Sequence, residues 1–192
     1  FTDGLLRLCE AGKVTNRGKG EFEGVSVTTF ALGSKALYDF LDGNEQVAFL
    51  PVSVVNDPSI IGRNANFISI NGAIAVDLYG QVVADAIDGR QISGVGGHED
   101  FVAGADLEAD DRSMICLRST VEVNGELVSR ILPSLPAGAV VSTPRHHTGT
   151  VVTEFGAVDL AGATVRERAE ALVGIAHPQF RDELLDAAKA LG

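Results

Sequence analysis

From residue 67 to residue 159 the chain is cut into short alternating or β-branched runs, and most of its helix-type patterns lie nearer its ends. "FISINGAIAVDLYGQVVADAI" (67–87) alternates and contains Asn71-Gly72 and Tyr79-Gly80, so it predicts strands meeting in hairpins. "RSMICLRSTVEVNGELVSRILPSL" (112–135) repeats the theme, with Asn124-Gly125 as a hairpin tip. "AVVSTPRHHTGTVVTEFGAVDL" (139–160) supplies a strand, a loop and another strand. Runs this short cannot be buried alone, so they must share a sheet that something else covers.

The cover comes from the flanking helices. Residues 2–11 read as a short helix capped by Thr2 or Asp3, and Ser34 caps a helix carrying Leu37, Phe40 and Leu41 on one face. Asp57 followed by Pro58 is a further helix start. At the far end, 164–176 and 178–191 are amphipathic helices, the first opened by a capping box of Thr164 and Glu167. "VSVTTFAL" (25–32) reads as a buried strand, and "VAFLPVSVV" (47–55) as a strand that Pro51 pushes toward an edge or bulge. The expected architecture is α/β, a mixed sheet flanked by helices in one domain over 1–192.

Charge and composition remove whole classes of function. A net charge of −11 with no Lys/Arg cluster argues against nucleic acid, which needs a basic face. No apolar run is long enough for a membrane helix and no signal peptide is present. Cys9 and Cys116 lie far apart and match no metal spacing, reading as buried or half-buried thiols of a reducing compartment. The chain opens Phe1-Thr2-Asp3 without Met and enters a helical pattern at once, as a segment of a larger protein would.

Three stretches could carry chemistry. In "ISGVGGHEDFVAG" (92–104), Gly94, Gly96 and Gly97 let the backbone approach a ligand and aim N–H groups at negative charge. Glu99 stands where a dinucleotide fingerprint would need its third glycine, and a bend with exposed charge is the competing reading. His98, Glu99 and Asp100 lack the spacing of a metal site. In "TPRHHTG" (143–149), Arg145 could hold a carboxylate or phosphate and His146 or His147 could move a proton, the alternative being a plain surface loop. Glu154, among apolar neighbours, needs Arg145 or backbone N–H groups as partner. Asn56 offers an uncharged donor and acceptor before the Asp57-Pro58 helix start.

Taken in order, "FTDGLLRLCEAGKVTN", "FALGSKALYDFLDGN", "ISINGAIAVDLYGQV", "GRQISGVGGHEDFV", "SRILPSLPAGAVVSTPR" and "VVTEFGAVDLAGATVRERAEALVGIAHPQFRDEL" resemble the C-terminal domain of the acetyl-CoA hydrolase/transferase family, which includes 4-hydroxybutyrate and succinyl-CoA:acetate CoA-transferases. The resemblance implies a NagB/RpiA-like CoA-transferase domain that works with its own N-terminal domain. It also implies a cytoplasmic homodimer, acyl-CoA and small carboxylates as substrates, and no cofactor or metal. Family members use a glutamate that forms a glutamyl-CoA thioester. By the resemblance it lies immediately upstream of Phe1, so this segment alone should be inactive. Carried onto this chain, the resemblance gives Gly96, with Gly97 next, an oxyanion-hole N–H, and gives Asn56 an orienting role. Gly94, Arg145 and His146 fall at the substrate and CoA side, although Pro144 and His146-His147 depart from the family's arginine loop. Hydrolysis of acetyl-CoA, or non-catalytic acyl-CoA binding, are the competing activities.

Overall fold

The computed structural model describes residues 1–87, 89–107 and 112–191. In the first part helices outnumber strands. It holds α1 (Asp3–Glu10), β1 (Ser26–Thr28), α2 (Lys35–Leu41), β2 (Val47–Phe49), α3 (Val52–Val55) and α4 (Pro58–Ile61), with β1 and β2 paired in parallel. The Ser34 hydroxyl accepts the Leu37 N–H and the Asp57 carboxylate accepts the Ser59 N–H, so these two predicted caps form, whereas Thr2, at the N-cap of α1, makes no side-chain cap hydrogen bond. Residues 52–55 are helix rather than strand. Pro51, with its fixed φ and no N–H to lose, starts a helical turn and its carbonyl accepts from Val54 and Val55.

The middle contains β3 (Ile68–Gly72), β4 (Ala75–Asp77), β5 (Val82–Val83), β6 (Ala86–Ile87), β7 (Arg90–Gln91), α5 (His98–Ala105), β8 (Arg112–Cys116), β9 (Thr120–Val123), β10 (Glu126–Ser129) and β11 (Ile131–Leu132). It is followed by β12 (Thr150–Thr153), β13 (Gly156–Asp159), α6 (Val165–Gly174), a 3-10 turn at Pro178–Phe180 and α7 (Arg181–Lys189). The mixed sheet is present: β13, β12, β8 and β3 lie side by side, parallel except for the β12–β13 hairpin. A second small sheet runs β11, β4, β5.

Asn71-Gly72 is not a hairpin tip. The extended chain passes straight through it and changes sheet, since the Ala73 N–H still bonds Cys116 while the Ile74 N–H already bonds Val83. Tyr79-Gly80 and Asn124-Gly125 do turn, joining β4 to β5 and β9 to β10. Residues 139–143 form no strand beyond a single bridge from Thr143 to Val82, and "VSVTTFAL" is strand only over 26–28.

The core lies between the two sheets and the C-terminal helices. Val76, Leu78, Ile115, Ile131, Val151 and Leu172 are fully buried there. Asp77, equally buried, accepts hydrogen bonds from the N–H groups of Tyr79, Gln81 and Leu135 and from the Gln81 side chain. A buried carboxylate so supplied with donors locks the β4–β5 turn to the 135 loop instead of destabilising the core.

The contact that positions the rest is between α4 and α5. A Cβ on Gly104 would lie 2.5 Å from Ile61 Cγ2, and Ile61 is itself buried and β-branched. Gly104→Ala should therefore destabilise the protein by about 1–3 kcal/mol. Gly174→Ala, in α6 with nothing within 4 Å of the new methyl, should stabilise it by about 0.5–1 kcal/mol. Urea unfolding of the two variants checks this, and a stabilising Gly104→Ala would refute the close-packing account.

Candidate active site

The "GGHED" segment is a helix start, not a charged loop. Gly97 is the N-cap of α5, and His98, Glu99 and Asp100 form its first turn. Gly96 has φ +64°, a conformation that side chains resist, and both Gly94 and Gly96 are exposed. The free N–H groups of such a start carry partial positive charge.

Asn56 meets this start from the other side. It ends α3 and immediately precedes the Asp57 cap of α4, and its amide Nδ2 donates to Asp100 Oδ2 at 3.1 Å. That amide is packed so tightly on Gly97 that a Cβ there would lie 1.9 Å from Nδ2. Asn56, Gly96, Gly97, His98 and Asp100 line one cavity of about 680 Å³, whose far wall includes Thr28 and Phe30. The amino group of Phe1 donates to the Thr28 hydroxyl at 3.1 Å and to the Phe30 carbonyl at 2.6 Å, so residue 1 lies beside this cavity.

Of the residues singled out in the sequence, then, Asn56, Gly96 and Gly97 come together. Gly94 precedes them outside the lining. Arg145 and His146 are exposed and do not line this cavity. Their loop is nevertheless tied to α5, because Glu99 takes the Thr143 hydroxyl at 3.1 Å and is in close contact with His147 Nδ1. Arg145 turns its carbonyl to Arg168 Nη1, and its own charge, after burial, helps lower the pKa of Arg168. Glu154 does not reach Arg145. Its carboxylate accepts the N–H and hydroxyl of Ser119 at 2.9 and 2.8 Å. Desolvation raises its pKa, but these hydrogen bonds, one to its own backbone and nearby Arg118 outweigh it, holding the group below the usual carboxylate range. Its role is structural.

Two residues that the sequence reading weighed only as metal ligands belong to this site. Asp100 holds the Asn56 amide, and an acid in a helix's first turn was its only signal. His98 is half-buried, and its Nε2 has no hydrogen-bond partner. Burial lowers its pKa, partly opposed by Glu99 and Asp85. Among the described residues no group of His, Cys, Asp and Glu could hold a metal ion. Burial raises the pKa of both thiols, Cys9 and Cys116. No described helix is long and apolar enough to cross a membrane.

A helix start with bare glycine backbone, a fixed amide and a roomy cavity can favour negative charge on a ligand. Comparison with known proteins shows the family. The sequence model of the acetyl-CoA hydrolase/transferase C-terminal domain matches residues 33–188, and the chain belongs to that family. It is 45% identical over 191 residues to the probable butyrate:acetyl-CoA coenzyme A-transferase of Syntrophomonas wolfei, covering 100% of this chain and 43% of that protein. It is likewise 45% identical to the 4-hydroxybutyrate coenzyme A transferase of Clostridium kluyveri, covering 98% of this chain and 44% of that protein. The crystal structure of RipA from Yersinia pestis superposes with a TM-score of 0.91 at 43% identity, over 100% of this chain and 42% of that one. The chain thus spans less than half the length of the relatives it matches.

Two outcomes follow from the geometry. Gly97→Ala must push the Asn56 amide off Asp100, whereas Gly96→Ala meets open space and only backbone strain. On the transfer chemistry proposed below, Gly97→Ala in the full-length protein should cut kcat by about 10²-fold, the scale of a positioning group moved by about 1 Å, here Asn56, with the residue 97 N–H retained. Gly96→Ala should lower kcat more than it weakens CoA affinity, and equal losses in both would argue for mere binding. The second outcome concerns pH. Because His98 binds its proton less readily folded than unfolded, the unfolded chain takes up the extra proton as pH falls through about 6.5. Stability should therefore drop on acidification in that range, and His98→Gln should lose that part of the slope in urea titrations at pH 5.5 and 7.5. Identical slopes in the two proteins would refute it.

Proposed function

We propose that this domain supplies the oxyanion-stabilising half of a CoA-transferase active site, passing CoA between an acyl-CoA and a short-chain carboxylate such as acetate or 4-hydroxybutyrate. The observation that carries the reading is the single cavity that gathers Asn56, Gly96 and Gly97 and has Phe1 at its side. Residues just upstream of Phe1 in the whole protein would bring a glutamate to this cavity.

In that scheme the glutamate carboxylate adds to the thioester carbonyl, and the C–S bond breaks to release CoA thiolate and leave an acyl-glutamyl anhydride. The thiolate then adds to the glutamyl carbonyl, expelling the acyl carboxylate and leaving a glutamyl-CoA thioester. An acceptor carboxylate reverses both steps, so no water is consumed. Covalent catalysis splits one difficult transfer into easier ones. Each addition creates an oxyanion, which the backbone N–H groups of Gly96 and Gly97 would meet. Asn56, fixed by Asp100, would orient the glutamate or bound carboxylate. Arg145 and His146, on the loop anchored through Glu99, would lie toward the CoA side along with Gly94.

The exposed side chains around the cavity, Phe30 at 67% and Val52 at 60%, support a covering N-terminal domain. A homodimeric, cytoplasmic enzyme without cofactor is part of the same proposal. Hydrolysis is the second reading, favoured if water reaches the glutamyl thioester.

The full-length protein, given butyryl-CoA and acetate, should form acetyl-CoA without net release of free CoA. Free CoA appearing at the same rate without acetate would identify a hydrolase. Binding of acyl-CoA with neither product would leave only a binding module and defeat the enzyme reading.

A further inference from the structure

Another cavity, of about 520 Å³, lies at the far end of α5 and shares no lining residue with the cavity at the helix start. Gly97 caps α5 at the first and Asp106 caps it at the second, about 12 Å away along the helix. Arg112 and Ser113 open β8 there, Gly149 and Thr150 lead into the parallel β12, and Asp159 ends β13.

The charges in this wall are unspent. Asp106 is a carboxylate at the negative end of a helix, and no basic residue stands in the last turn of α5 to offset it. Asp159 accepts only the Ala161 N–H, at 2.9 Å. Among the described residues no ion pair includes Asp106, Asp159 or Arg112, although all three line the same cavity. Opposite charges that face one space without meeting suit a ligand that carries both.

A buried group in the same wall points the same way. Ser113 is 4% exposed, and its Oγ has no hydrogen-bond partner. The strands on either side leave it unserved. Ser69, opposite it on β3, is occupied by the Asn71 amide, and Gly149 brings no side chain. A Cβ on Gly149 would lie 3.6 Å from Ser113 Oγ, so the hydroxyl faces the bare Cα that floors the cavity. An unpaired buried hydroxyl is costly to keep unless something uses it.

We infer that this cavity binds a zwitterion, an α-amino acid with a short side chain. Its ammonium group takes Asp106 and Asp159 at the carbonyl end of α5, and its carboxylate takes Arg112 and the Ser113 hydroxyl. Between these poles the wall is Ala157, Val158 and Ala161, small and apolar, which fits a short apolar side chain.

The test is calorimetric titration of the full-length protein with L-alanine. Saturable binding is expected. L-alaninamide, without the carboxylate, and N-acetyl-L-alanine, without the ammonium, should each bind at least about tenfold more weakly. Asp106→Asn and Arg112→Gln change exposed residues, with little risk to folding, and each should weaken L-alanine by the same factor. Ser113→Ala should raise the Tm of the free protein, since it removes an unpaired hydroxyl, and yet lower L-alanine affinity about threefold. No saturable binding at millimolar L-alanine overturns the site. Equal binding of either analogue overturns it, because one charge alone is then read. L-alanine affinity unchanged in all three variants overturns it too, because the amino acid then sits elsewhere. None of these readouts uses CoA transfer, so the proposed function stands or falls separately.

Discussion

Everything that makes this site possible depends on how closely α4 and α5 approach. Gly104 presents a bare Cα to Ile61, and Gly62 sits against Leu107 and the Gly104 carbonyl, so two glycines remove the bulk that would hold these segments apart. Asn56 lies one residue before the cap of α4, and Gly97 is the cap of α5. Fixing the two helices together therefore fixes the Asn56 amide against a bare helix start. Chemistry that depends on positioned dipoles needs that fixity more than it needs any particular charge.

An acidic chain would seem a poor host for developing negative charge. The local arrangement answers this. The two carboxylates of the α5 first turn are both engaged: Asp100 by the Asn56 amide, Glu99 by the Thr143 hydroxyl and the His147 ring. Engaged in this way they also favour the helix N-terminus. Burial disfavours the cationic form of His98. On the proposed chemistry, a ligand there would meet backbone N–H groups, whose partial charge does not titrate and acts locally whatever the net charge of −11.

The sequence was most legible where local chemistry decides structure. Ser34, Asp57 and Thr164 cap the helices they were expected to cap, and Asn124-Gly125 turns its hairpin. It was least legible where a distant contact overrules a local preference. Gly104 lowers the helical propensity of 98–105, yet only glycine fits against Ile61, so α5 forms around a residue that locally argues against it. The run 52–55, three valines and a serine, is strand-like in propensity, but Pro51 opens it as a turn of helix, its carbonyl bonded by the Val54 and Val55 N–H groups. Asn71-Gly72 carries a hairpin signal that pairing of β3 with β8 cancels. At the site, the glycines and Asn56 were visible as residue types, but their meeting was not, since 44 positions separate Asn56 from Asp100.

On the proposed chemistry, the difference between a transferase and a hydrolase reduces to water. A glutamyl-CoA thioester is as open to water as to a carboxylate, so transfer wins only where the cavity is dry while the intermediate lasts. This domain does not close its own cavity: Phe30 and Val52 remain exposed in the lining. A covering domain that sealed the side facing Phe1 would dry it, so on the proposed chemistry the choice between transfer and hydrolysis would rest on contacts that this domain does not itself supply.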